Sequence, residues 1–178
     1  KKVYSRSIAD KIMFSNVAKS QEDILWAIKH KISYYTIDDE NSLKQIIDLS
    51  IRNKLPKLKI NVRLNVYECF KEEFDKKGAT DSRLGAVVST AAKLLKIINE
   101  ENRIEIEKGL SFYIQAEIHN DEDCLIKMLN HITKSFSKNI NIDFINIGGG
   151  ANKERLLYTM PTIEKALEHF GAKYIVLE

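Results

Sequence analysis

Along the chain, short runs rich in Ile, Val, Phe and Tyr alternate with longer stretches in which apolar residues return every three or four positions. The first rhythm is that of strands and the second that of amphipathic helices. Ile12, Met13 and Phe14 form an opening strand, and Ser20 then predicts the cap of a helix whose apolar face carries Ile24, Ala27 and Ile28. A strand over 34–37 follows. Asp38 or Asp39 is placed to cap the next helix, in which Leu43, Ile46, Ile47, Ser50 and Ile51 share a face before Pro56 interrupts. A third strand is predicted over 59–64, then a polar, irregular stretch over 66–80. Val88, Ala91, Ala92, Leu95 and Ile98 mark a helix, and a strand is predicted from about 109 to 114. Leu125, Met128, Leu129, Ile132 and Phe136 make another helical stripe, followed by a strand over 144–147 that runs into three glycines. A last helix is expected to start near Pro161, a favoured first-turn residue, and to stop at Gly171 before a strand over 174–177.

Strands and helices in strict alternation predict an α/β fold with a parallel sheet, and the count is about six strand–helix units. A closed barrel of this type has eight. Either the sheet is open or the chain is a piece of a longer one, and Glu178, at the end of a strand where a barrel enzyme places functional groups, favours a piece. No repeat, low-complexity tract or linker divides the sequence, so a single domain over 1–178 is expected.

Composition narrows the functional classes. The 28 basic and 25 acidic residues are interspersed and leave a formal charge of +3, with no concentrated basic face for nucleic acid. Cys69 and Cys124 lie far apart, without metal-ligand or disulfide spacing, which fits a reducing, cytoplasmic setting. No apolar run approaches the roughly 20 residues of a membrane span. Among the histidines, His119 and His131 do not share a metal-binding helical face, and His30 and His169 sit near helix ends, where structural roles are expected. Trp26 and Phe136 fall on amphipathic helices and are expected to pack.

The sharpest local signal is Gly148-Gly149-Gly150 after Ile147. At the end of a parallel strand, three residues without a Cβ allow positive φ and close approach of an anion to exposed amides. The spacing does not fit a dinucleotide-binding fingerprint. A turn that needs glycine for geometry alone is the alternative.

Lys11 to Lys19, with Asn16 and Lys19 flanking a turn into a helix, resembles the third-strand motif of the ornithine, diaminopimelate and carboxynorspermidine decarboxylases. Tyr35-Thr36-Ile37-Asp38 is similar to their fourth strand, Val62-Arg63-Leu64-Asn65 to their fifth, and Ser82-Arg83-Leu84-Gly85 to the basic-leucine-glycine element before the next helix. The glycine triplet is similar to their phosphate loop, and Val176-Leu177-Glu178 to their eighth strand. The resemblance covers nearly the whole chain and is to the fold-type III family, with its alanine racemase-like pyridoxal-phosphate barrel. It implies a partial TIM-type (β/α) barrel that binds pyridoxal 5′-phosphate.

The same resemblance implies that the lysine anchoring the cofactor through a Schiff base would lie before Lys1, and that a second, mostly β domain would follow Glu178. A chain without them is expected not to turn over substrate. In the complete protein, implied to be a homodimeric carboxy-lyase acting on a small amino-acid substrate, Glu178 would keep the cofactor's ring nitrogen protonated. Arg63 would sit inside the barrel, pairing with a carboxylate or supporting the phosphate. Where relatives place a stacking histidine this chain has Tyr113, and Ala116 stands where a hydroxyl is usual. Glu117 would contact an amine substrate or enter a solvent-facing loop. Lys19, at a helix start, is expected to be structural. These departures keep open a catalytically inactive relative that binds regulatory partners, and a racemase or cofactor-carrying barrel.

Overall fold

The computed structural model describes residues 9–67, 70–72, 84–112, 124–137, 139–148 and 153–177, with 153–155 described by backbone only. Six strands, β1 (Met13–Phe14), β2 (Tyr34–Ile37), β3 (Lys57–Leu64), β4 (Glu105–Phe112), β5 (Phe144–Asn146) and β6 (Tyr174–Val176), form one sheet. Every pairing is parallel and the spatial order is the sequence order. The helices named among the described residues are α1 (Gln21–Lys29), α2 (Glu40–Arg52), α3 (Val88–Glu100), α4 (Cys124–Ser135) and α5 (Lys153–Phe170).

Successive side chains of a strand point to opposite faces. In β3, Leu58, Ile60, Val62 and Leu64 are buried in the main hydrophobic cluster. Lys59, Asn61 and Arg63 alternate with them and meet residues of β1, β2 and β6 instead. Asn146 of β5 reaches Tyr34 of β2 at 3.3 Å, three strands away in the sheet order. Such a contact requires the sheet to curl, so the six strands form a half-barrel with a polar concave interior.

The apolar stripes predicted from periodicity are the buried faces. Leu43, Ile46 and Ile47 of α2 and Ala91, Leu94, Leu95 and Ile98 of α3 lie against the sheet. Burying each such Leu or Ile contributes roughly 1.5–3 kcal/mol of transfer free energy. Ser20 closes a capping box with Asp23 at the start of α1. Asp39, not Asp38, caps α2 by accepting from the Ser42 amide at 2.8 Å.

Five expectations are corrected. The last helix begins at Lys153, and Pro161 lies inside it on an exposed position. The helix survives because Thr159, Ile163, Ala166 and Phe170 keep one face buried through the proline. β3 starts at Lys57 and β4 at Glu105, since charged residues are tolerated where a strand enters from solvent. The stretch after Val66 contains helical residues at 67 and 70–72, with Phe70 fully buried. Trp26 does not pack into the core; it is 56% exposed and stacks on His30 at 4.1 Å.

Candidate functional site

The concave interior ends, at the C-terminal ends of the strands, in a pocket of about 240 Å³ lined by Ser15, Thr36, Arg63, Leu84, Ser111, Phe112 and Gly148. The register explains the convergence: Thr36 and Asn61 are neighbours across β2 and β3, and Arg63, Ser111 and Asn146 form one row across β3, β4 and β5. Period-two alternation then aims these polar side chains inward.

Arg63 donates from Nε to Asp38 Oδ1 at 2.8 Å and from Nη2 to Asp38 Oδ2 at 2.5 Å. The pair is bidentate and its side chains are only 13% and 14% exposed. A guanidinium so held cannot swing, and its charge is balanced on one side. Lys19 lies beside them and donates to the Asn16 carbonyl. Burial pulls its ammonium below the usual lysine range, and Arg63 adds to this while Asp38 and Asp39 oppose it.

The segment over 84–86 docks on the end of β3. Ala86 donates to the Arg63 carbonyl at 2.8 Å, Asn65 donates to the Ala86 carbonyl at 2.9 Å, and Gly85 has φ +94°. A Cβ on Gly85 would lie 2.5 Å from the Leu64 carbonyl carbon, so no larger residue fits there. This accounts for the glycine of the Leu84-Gly85 motif and brings Leu84 to the pocket wall.

Gly148 opens the glycine turn with φ +71° and borders the pocket. Its amide donates to Asn146 Oδ1 at 2.8 Å and is therefore already engaged. Gly148 serves the turn geometry. Gly149 and Gly150 lie outside the described residues, as do Tyr113, Ala116, Glu117 and Glu178. Of the residues singled out from sequence, Arg63 and Gly148 are brought together.

Sequence reasoning passed over Asp38 as a partner, and over Thr36, Asn61, Ser111 and Asn146. Their signal was a polar residue at every second position of otherwise apolar strands, which is how a barrel interior is written. Asn61 is fully buried, donates to Thr36 Oγ1 at 3.4 Å, and leaves its Oδ1 without a partner.

At the opposite end of the strands a shallow groove of about 650 Å³ is lined by Lys54, Pro56, Glu101 and Arg103 among others. Arg103 there is tied to Glu101 and Asp48, so its charge is answered within the protein. Among the described residues no group of His, Cys, Asp and Glu could hold a metal ion, and no helix is long and apolar enough to cross a membrane.

The sequence profile of one family, described as pyridoxal-dependent decarboxylase, pyridoxal binding domain, matches residues 3–169. The chain belongs to this family. Diaminopimelate decarboxylase of Haemophilus influenzae is 23% identical over 149 residues, covering 80% of this chain and 35% of that protein. Diaminopimelate decarboxylase of Helicobacter pylori, solved with L-lysine, superposes with a TM-score of 0.70 at 21% identity over 96% of this chain and 45% of that one. The arginine decarboxylase of Paramecium bursaria Chlorella virus, solved with agmatine, gives 0.62 at 18% identity over 96% and 45%. These likenesses establish the half-barrel as the N-terminal barrel fold of such decarboxylases. The chain spans less than half the length of each of these relatives.

The pocket suits the family's cofactor. Hydroxyls of Ser15, Thr36 and Ser111 and the fixed Arg63 guanidinium are donors matched to phosphate oxygens, and Leu84 and Phe112 offer apolar surface to a flat ring. The unanswered Asn61 acceptor shows interior polar capacity that the described residues leave unused.

Proposed function

We propose that this chain is the cofactor-holding barrel portion, over 1–178, of a pyridoxal-phosphate-dependent decarboxylase of a basic or diamino acid, in lysine or polyamine metabolism. The observation that carries this reading is the meeting of Arg63, Ser111 and Gly148 in one pocket at the C-terminal strand ends of a chain of this family. The ligands named for the relatives, L-lysine and agmatine, both carry a basic group.

Bound in the pocket, pyridoxal phosphate would supply a conjugated cationic ring that accepts the electrons left behind by departing carbon dioxide. Asp38 holds Arg63 in a single orientation. The three hydroxyls would donate hydrogen bonds toward the phosphate, and amides of the glycine turn would complete its shell. Leu84 and Phe112 keep water from the ring face. In this reading Glu178 would hold a proton on the ring nitrogen by a charge-assisted hydrogen bond, Tyr113 would cover the ring, and Glu117 would meet an amine of the substrate. In this reading the anchoring lysine and a β domain would lie in other parts of the complete protein, a cytoplasmic homodimer, and 1–178 alone would not turn over substrate.

The test is to incubate the complete protein with pyridoxal phosphate and separately with lysine, ornithine, arginine and diaminopimelate, and to measure carbon dioxide release. Release from one or more supports the reading. Cofactor binding without release from any would favour the second reading, an inactive regulatory relative, to which Tyr113 and Ala116 point. Absence of cofactor binding would sink both.

A further inference from the structure

Below the pocket, the interior holds a second constellation that the site does not use. Lys59 of β3 points into the barrel, with Nζ 4.6 Å from the ring centroid of Phe144, 4.8 Å from Tyr174 and 5.0 Å from Tyr34. Three rings from three strands thus surround one ammonium. Nζ also donates to the Tyr174 hydroxyl at 2.6 Å, that hydroxyl donates to Glu107, and Glu107 lies 3.8 Å from Nζ. Lys59 is a built-in ligand of an aromatic box.

The box is anchored to the glycine turn by two routes. Phe144, the first residue of β5, stacks on Tyr174 at 5.6 Å, meets Tyr34 edge-on at 5.7 Å, and fills the space left by Gly109. A Cβ on Gly109 would come within 2.3 Å of the Phe144 ring. β5 is only three residues long, so the seating of Phe144 fixes where Asn146 stands. The second route is polar: Asn146 Nδ2 donates to the Tyr34 hydroxyl at 3.3 Å, while its Oδ1 accepts the Gly148 amide.

We infer that Lys59 is a positioning residue for the anion site: by holding Tyr34, Phe144 and Tyr174 about one point, it sets Asn146 and through it the glycine turn that receives the cofactor's phosphate. The inference rests on the reading of that turn as a phosphate site and adds to it a determinant on β3, two strands away in the sheet order. The ammonium itself does not touch the cofactor. Its effect is selective for the phosphate.

The experiment compares equilibrium dialysis of pyridoxal 5′-phosphate and of pyridoxal, which lacks the phosphate, against the complete protein and its Lys59→Met, Lys59→Arg and Tyr34→Phe variants. Wild type should prefer the phosphorylated form. Lys59→Met should lower that preference roughly tenfold, about 1.4 kcal/mol, with pyridoxal binding itself little changed. Lys59→Arg, which keeps a cation in the box, should recover most of it. Tyr34→Phe keeps the ring and removes the hydroxyl that accepts from Asn146, and should shift the preference in the same direction; it carries the test alone if Lys59→Met does not fold. A wild-type preference left intact in both Lys59→Met and Tyr34→Phe would overturn the positioning role while leaving the phosphate reading standing. A wild type that binds both forms equally would overturn the phosphate reading itself, and the inference with it.

Discussion

The two ends of the barrel interior are built on opposite principles. Near the strand N-termini, Lys59 sits among three rings with Tyr174 and Glu107 completing its contacts, and Phe144 occupies the gap at Gly109. Near the C-termini, hydroxyls and a guanidinium line open space, and a fully buried acceptor on Asn61 has no partner among the described residues. A filled and paired interior fixes where strands stand, whereas an interior with unmet polar capacity is suited to a guest. The difference assigns separate duties to side chains that lie on the same strand only two residues apart.

Removing Asp38 attacks the upper end at a tightly paired charge. Asp38→Ala leaves the nearly buried Arg63 guanidinium without its carboxylate and should cost about 3 kcal/mol of stability, measured by denaturant unfolding, together with loss of cofactor binding. A loss under about 1 kcal/mol would mean that the pair behaves like a surface ion pair. At the lower end, Gly109→Ala drives a Cβ into the Phe144 ring and should cost about 2 kcal/mol; a neutral result would show that the aromatic box is loosely packed and would erase the contrast.

Acid should act on the framework outside the interior. Burial pushes the Asp39 carboxyl up, but hydrogen bonds from the Ser42 hydroxyl and amide and from the Asn41 amide outweigh it and leave it below the usual carboxylate range. Asp143 is likewise raised by burial and then lowered further by the Lys108 amide and Lys173. With folded values below unfolded ones, the unfolded chain binds more protons in between, so this stability is whole above roughly pH 4 and is lost as pH falls further. Thermal midpoints that fall equally in wild type and Asp39→Asn would remove Asp39 from that account. The smallest effect is expected at Asn61: Asn61→Leu removes an unanswered buried acceptor and should leave stability within about 1 kcal/mol of wild type. A larger loss would show the upper interior to be satisfied after all.

Much of the framework was legible because local rules and tertiary context agree there. Ser20, the stripe from Leu43 to Ile51 and the apolar strands all appear where periodicity puts them. Pro161 misled because a proline inside a helix costs only what packing on the opposite face fails to return, and Phe170 and Ile163 are buried. Asp38 and Asp39 both read as caps; only the register across β2 and β3 separates one as a cap from the other as the partner of Arg63. The Lys59 box was not legible at all. Its members come from positions 34, 59, 107, 144 and 174, and no spacing along the chain marks a meeting across a curved sheet. Gly109, read only as the start of a strand, takes its meaning from Phe144, 35 positions later in register beside it.

The unbroken order of the sheet bears on how the chain acquires its shape. Because each described strand pairs with the described strand before it in the sequence, each strand–helix unit can dock on its predecessor as it leaves the ribosome. Synthesis order and assembly order then coincide. The cross-barrel contacts of Lys59 and Asn146 wait for β5 and β6, so the box takes form only once these two strands have docked.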